Sequence, residues 1–225
     1  CPSGVGDVLA RVSARAGASS AGGPGFFAGA NKTAAPKDTV RIAAIPVQFQ
    51  TDAVATTTGS GQFKADGHGE TTSVGDSIEI LLDRADTYYR AVSYGRLRLS
   101  YTVFDTYMPT LSGTMDAYGT NKTTDAEINA DQILKKSLVR EALARTDTYI
   151  NHGAYDVVVI FHAGMPRQIS SLTRDIDAQF FTDLTTTFTD TQTNDTVTHA
   201  IITAPFGREK TTTETITMLG TFCHE

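Results

Sequence analysis

The chain lacks any excess of basic charge. Its 19 Lys and Arg are outnumbered by 25 Asp and Glu, for a net charge of −6. The cations are scattered rather than banded, so no field exists for a phosphate backbone and nucleic acid is an unsuitable partner. The chain also lacks any run near the ~20 apolar residues that a membrane-spanning helix requires. Its most apolar stretch, residues 155–163, has the length of a strand. Cysteine is nearly absent: Cys1 and Cys223 are the two in the chain. Neither belongs to a Cys-x-x-Cys pair or a cluster, which removes haem attachment, dithiol chemistry and thiolate metal centres. No Gly-x-Ser-x-Gly elbow occurs, which argues against a serine hydrolase of that design. Gly59-Ser60-Gly61 and Gly67-His68-Gly69 lack the Lys-Ser/Thr that follows a phosphate loop, and read as flexible loop.

What is present suits an exported chain. Three sequons, at Asn31, Asn121 and Asn194, lie in a Thr-rich sequence, and an extracellular or cell-surface location is expected. A chain beginning at Cys1 suits the lipid-anchored cysteine of a bacterial lipoprotein, half of a disulfide to Cys223, or a sequence whose numbering merely starts there. The hydrophobic fraction of 40% is enough to bury one core. Residues 1–38 are rich in Gly, Ala and Ser around Gly22-Gly23-Pro24-Gly25 and read as a flexible N-terminal arm, with one short helix at 6–16. Residues 39–225 form the domain.

Within that domain, residues 39–49 are β-branched and apolar, predicting a buried strand that Pro46 pushes toward a bulge or a sheet edge. Residues 51–72 are polar and Gly-rich, hence loop. Ile78, Leu81, Leu82, Ala85, Tyr88 and Tyr89 recur at helical spacing and predict a helix over 74–92, with Gly95 in the left-handed position after its end. Residues 96–104 alternate, with Leu97, Leu99, Tyr101 and Val103 on one face of a half-exposed strand. A second helix is expected over 124–149, capped by Asp125 and burying Ile128, Ile133, Leu134, Leu138, Ala142 and Leu143. The continuous apolar run at 155–164 predicts a central strand. Residues 182–198, with Thr at most alternate positions, suit a hairpin or a long surface loop, the hairpin being preferred for their length. A short strand at 199–205 and a last helix at 214–225 complete an α/β (α+β) fold, a mixed sheet with packed helices.

The chain's last two residues, His224 and Glu225, open a pattern with known chemistry. In His-Glu-x-x-His the two imidazoles one helical turn apart grip a zinc ion, and the Glu between them acts as base on the metal-bound water. A bare His-Glu pair carries no information; here an apolar helix, Met218 to Cys223, arrives at it after a mixed sheet. The other titratable groups read as structural. His162 ends a buried strand and suits a backbone hydrogen bond, while His68, His152 and His199 have no metal-ligand spacing among them. Asp175 and Asp177 offer hard oxygen donors but suit a solvated turn. Cys223 reads as buried or disulfide-bonded, since a cysteine nucleophile needs a positioned base.

Four segments in this order resemble the peptidase M6 family, the secreted zinc metalloproteases of the immune inhibitor A type. They are Ala91-Val92-Ser93-Tyr94-Gly95-Arg96-Leu97, the Tyr118-Gly119 turn, the strand from Tyr155 ending in His162-Ala163-Gly164, and Gly220-Thr221-Phe222-Cys223-His224-Glu225. The resemblance covers residues 40–225 and departs from the family after Gly164, where Met165-Pro166-Arg167-Gln168 replaces an acidic, Trp-containing pattern. It implies a zincin-like sheet truncated at the start of the zinc-binding helix, with His224 as first zinc ligand and Glu225 as general base. It further implies a zinc cofactor, with calcium as an additional stabiliser, and a protein or peptide substrate in the intact parent. This chain alone is expected to bind no metal and to be inactive, because the rest of the motif lies in a missing C-terminal half. The alternative is a non-catalytic extracellular or fibre-forming surface protein of the same ancestry. Its partner would be a second copy, because Thr-rich strand edges suit self-association.

Overall fold

The computed structural model describes residues 38–63, 73–182, 184, 188–191, 194, 196–197, 199–205 and 218–225. The expected helix at 6–16, Cys1, the sequon at Asn31, the glycines around His68 and the start of the last helix at 214–217 lie outside the described residues.

The first strand, β1 (Thr39–Val47), is buried at six consecutive positions, Ile42 to Val47, and also at Val40. Helix α1 (Val74–Val92) follows. Its start is fixed by a capping box: Ser73 accepts the Asp76 N–H, and the Asp76 carboxylate accepts the Ser73 N–H. Tyr94 and Gly95 both take the left-handed conformation at its end, with φ of 56° and 79°, and Gly95 N–H returns to the Arg90 carbonyl at 2.7 Å. Strand β2 (Arg98–Val103) is half-exposed as its alternation predicts. Helix α2 (Asp125–Thr146) leads through a short 3-10 turn, His152–Ala154, into β3 (Val157–His162). A four-residue helix, α3 (Arg167–Ser170), precedes β4 (Gln179–Phe181). A small hairpin joins β5 (Phe188–Thr189) to β6 (Thr196–Val197), and β7 (Ala200–Thr203) and α4 (Leu219–His224) complete the order.

Five strands form one sheet in the order β2-β1-β3-β7-β4. All neighbours are parallel except β4, which runs antiparallel to β7 at the edge. On one face α1 and α4 cover Val40, Ile42, Ala44, Val159 and Phe161; on the other α2 covers Ala43, Ile45, Val158 and Ile160. This two-sided cover explains why all six residues of β3 are buried and why the run is apolar without alternation. The α/β class with a mixed sheet is therefore the fold of the described residues.

Four details differ from the sequence expectations. Pro46 lies at neither an edge nor a bulge but inside β1, paired with Phe161 of β3. Pairing with β2 ends at Ala44 with Val103, and the Ala44 carbonyl faces β2 to accept the Phe104 N–H. The nitrogen of Pro46, two residues on, faces the same side beyond the last ladder pair, so its missing donor breaks no bond. Helix α2 is capped by Thr124 rather than Asp125, through a capping box with Glu127. Its buried face also differs: Ile128 and Ile133 are 44% and 67% exposed, while Asp131, Lys135, Leu138, Val139, Ala142, Leu143 and Thr146 are buried. A salt-bridged pair sits where the apolar stripe was expected, so hydrophobicity alone mistakes the helix's rotation. Finally, the antiparallel β4 was not expected at all; three residues, Gln-Phe-Phe, are too few to carry a period.

The rotation of α2 is open to a direct test by chemical denaturation. Leu138→Ala should cost about 2–5 kcal/mol of stability, whereas Ile133→Ala should stay within about 0.5 kcal/mol. Equal costs would place Ile133 in the core and refute this packing.

Candidate functional site

The His224 and Glu225 pair is set by how α4 packs. Met218, Phe222 and Cys223 are buried against the sheet, with the Phe222 ring stacked 6.4 Å from Phe161. The Tyr89 hydroxyl of α1 donates to the Cys223 carbonyl at 3.1 Å and ties down the helix's last turn. Apolar residues at 218, 222 and 223 thus turn His224 outward, where it is exposed. Glu225 is half-buried and its Oε2 accepts the Phe180 N–H of edge strand β4 at 2.9 Å. Burial raises its carboxyl above the ordinary range, and the Phe180 N–H partly offsets this.

No described strand pairs with the outer side of β4, so the carboxylate of Glu225 sits on the backbone of the edge strand of the described sheet. As for zinc, a single exposed imidazole offers one donor, and His224 is in no group of three or more metal-ligating side chains among the described residues. These residues alone do not amount to a zinc site. Cys223 beside them is a buried free thiol, which burial pushes up to about 12, so it is protonated and inert.

Beneath β4 lies an ionic cluster that no pattern in the sequence signals. Lys135 is fully buried on α2, where it pairs with Asp131 at 2.8 Å and with Asp177, and reaches Gln179 Oε1 of β4 at 3.1 Å. Lys122 meets the same two carboxylates, at 2.9 Å from Asp131 and 2.5 Å from Asp177. Burial opposes the charge on Asp177, yet Lys135 and Lys122 beside it hold its carboxyl below the usual range. Gln132 and Gln179 exchange amide bonds at 3.0 and 2.7 Å. The edge strand that carries Phe180 is thereby fastened to α2 by a neutral set of two cations and two anions. The solvated turn expected at Asp175 and Asp177 is therefore corrected. Asp175 is also buried and accepts the N–H and hydroxyl of Thr58 at 2.7 and 3.2 Å.

A second cluster gathers residues distant in sequence. Asp147 closes α2, His152 opens the 3-10 turn before β3, and Asp190 follows β5. Their ligand atoms all lie within 4.8 Å of one another and all three residues are buried, so this group could hold a metal ion. His152 Nδ1 is 3.2 Å from Asp190 Oδ2 and 3.8 Å from Asp147 Oδ1, and its Nε2 is 3.0 Å from the Thr146 hydroxyl. Burial holds this ring below its ordinary pKa, against the pull of Asp190 and Asp147. Two ionised carboxylates at such a separation repel by roughly 3 kcal/mol at an effective dielectric of ~20, a cost that a cation between them removes. The absence of metal-ligand spacing among His68, His152 and His199 thus did not bear on His152, whose neighbours are carboxylates. Its partners are carboxylates 5 residues before and 38 residues after it, one of them in the Thr-rich segment, and no histidine spacing could have shown them.

His162 agrees with its structural reading. It is fully buried at the end of β3, and its Nδ1 donates to the Ala163 carbonyl at 2.9 Å. Its Nε2 has no partner among the described residues. The Tyr118-Gly119 turn is held by close contact: a side chain at Gly119 would overlap the Arg174 carbonyl, and the Tyr118 hydroxyl donates to Glu141 at 2.6 Å. No protein-family model matches the chain, and no curated protein matches it.

The buried histidine gives a pH signature. Burial lowers the His162 pKa from 6.5 to about 4, and the nearby Lys135 cation adds to it. The unfolded chain takes up a proton below pH 6.5 that the folded one refuses, so stability is complete above that pH and falls as pH drops toward 4. His152 and His199, also held below the ordinary value by burial, act in the same direction. Urea titrations at pH 7 and pH 4 should show His162→Phe losing about 3 kcal/mol less than the wild type across this interval. An unchanged difference would show that His162 does not titrate in this way.

Proposed function

We propose that residues 39–225 are the N-terminal part of the catalytic domain of a secreted zinc-dependent endopeptidase of the M6 type, with His224 as its first zinc ligand and Glu225 as its general base. The observation that carries this reading is the bond from Phe180 N–H to the Glu225 carboxylate. An open edge strand is a ready template for an extended peptide, which pairs with it through backbone hydrogen bonds. A carboxylate seated on that edge lies beside the backbone of any peptide so bound, where a base must be to take a proton from a water that attacks the peptide carbonyl.

The protein's own contribution divides among three groups. Lys135, Lys122 and the Gln132 and Gln179 amides hold β4 in place. Tyr89 holds the turn that carries His224 and Glu225. Partial burial raises the Glu225 carboxyl above the ordinary range, which makes it a stronger proton acceptor. Zinc, when bound, would supply a polarised water or hydroxide. The exposed face of His224 leaves that imidazole free to serve as a ligand. The same assignment carries an extracellular or cell-surface location and a protein or peptide substrate.

Self-association of a non-catalytic protein through the same edge is the less favoured reading, because it gives no role to the carboxylate that Glu225 sets against the Phe180 N–H.

The reading requires a second histidine four residues after His224 in the uninterrupted gene. In the protein extended to include it, Glu225→Gln should cut peptide-bond hydrolysis by about 1,000-fold or more while zinc content stays constant. A coding sequence without that histidine, or a Glu225→Gln variant with undiminished activity, would refute the assignment.

A further inference from the structure

We propose that Asp147, His152 and Asp190 form a second, structural metal site, which takes a divalent cation of the zinc class and clamps the β5–β6 hairpin to the end of α2. This site is independent of the peptidase assignment and shares no residue with it.

The donor set selects the ion. Calcium and magnesium seek an almost complete shell of oxygens, whereas one imidazole nitrogen with two carboxylate oxygens suits zinc and its neighbours. Bonds of ~2.0–2.1 Å in a tetrahedral shell place neighbouring donors roughly 3.3 Å apart. The His152 Nδ1 distances of 3.2 Å to Asp190 and 3.8 Å to Asp147 are close to that spacing before any ion has drawn the groups together.

The ring is also held as a ligand's ring should be. The Thr146 hydroxyl donates back to the Ala142 carbonyl at 2.9 Å, which leaves its oxygen to accept the Nε2 proton of His152. In that tautomer the Nδ1 lone pair points at the two carboxylates. A donor bond from the remote ring nitrogen is the usual outer support of a metal-bound histidine. The Asp147 carboxylate is itself oriented by the N–H of Thr191 at 3.1 Å and by its hydroxyl. Its side chain retains 12% exposure, a route for the ion from solvent, while His152 and Asp190 are closed to it.

The place of the cluster explains what the ion would do. The β5–β6 ladder has two residue pairs and forms a sheet of its own, apart from the main five strands. A ladder so short is not self-supporting. The hairpin is joined to the body where Asp190 accepts the His152 N–H at 2.5 Å, where Thr191 binds Asp147, and where Phe188 meets the His152 ring edge-on at 5.6 Å. A cation shared by Asp147, His152 and Asp190 would join the helix end, the turn before β3 and the hairpin at one point.

The test uses the purified chain after chelation and desalting, titrated separately with zinc, manganese and calcium chlorides. One equivalent of zinc should bind, and at zinc 100-fold above its Kd the melting temperature should rise by roughly 5–10 °C. Asp190→Asn and His152→Gln should weaken binding by about 100-fold or more, while His224→Ala should leave it unchanged. Should either cluster variant fail to fold, cobalt substituted into the wild-type protein should broaden the His152 ring resonances and spare those of His162. Absence of a stoichiometric ion, preference for calcium, or zinc retained by the cluster variants would overturn the proposal. Zinc lost only in His224→Ala would overturn it too, while leaving the peptidase assignment standing.

Discussion

Six residue pairs between β1 and β3, from Ile42 with Val157 to Val47 with His162, place two apolar strands side by side at the centre of the sheet. Neither strand could tolerate that position alone, since each carries a row of peptide groups into a space closed to water from both faces. Mutual pairing satisfies them, and the remaining elements attach to its margins. Strand β2 takes the outer side of β1, β7 the outer side of β3, and β4 closes the far edge in the opposite direction. The Arg41 side chain and N–H meet Asp156 at the entry of the pair, a polar fastening at the end of the apolar ladder.

The sequence was most legible where one physical demand acted alone. The helix at 74–92 has its expected bounds because a single apolar stripe and a clean end signal agree, and the run at 155–164 contains the central strand because nothing but two-sided burial explains it. The hairpin in the Thr-rich segment is likewise present. Legibility failed where two demands compete. On α2 the buried face mixes Leu138 and Leu143 with Asp131 and Lys135, so its apolar residues do not mark its rotation. Pro46 is acceptable because of where another strand happens to end, a fact that belongs to β2 and not to the residues beside it. Glu225 stands out in the sequence beside His224, but its contact with Phe180 does not, because β4 is too short to be seen.

Charge is placed in this protein where the backbone is least supported. The edge strand rests on Lys135, Lys122 and their two carboxylates, and the small hairpin rests on Asp147, His152 and Asp190. In both places a peripheral strand is fixed by groups that apolar packing could not orient. Hydrogen-bonded charge is directional, and misplacing it in a buried setting is costly. The two clusters can therefore position short elements to a precision that two or three hydrophobic contacts would not reach. His162 shows the opposite use of burial: a titratable ring is held neutral by its surroundings, and its Nδ1 donates to the adjoining carbonyl.

The separation along the chain of the two central strands bears on how the protein is made. Arg41 and Asp156, which meet at the start of that pairing, are 115 residues apart. Contacts of such range are slow to form, because the loop must close before any stabilisation is gained. As the polypeptide leaves the ribosome, β1 therefore waits, apolar and unpaired on one side, until β3 has been synthesised. During that interval the nascent chain exposes an apolar strand of the kind that chaperones cover.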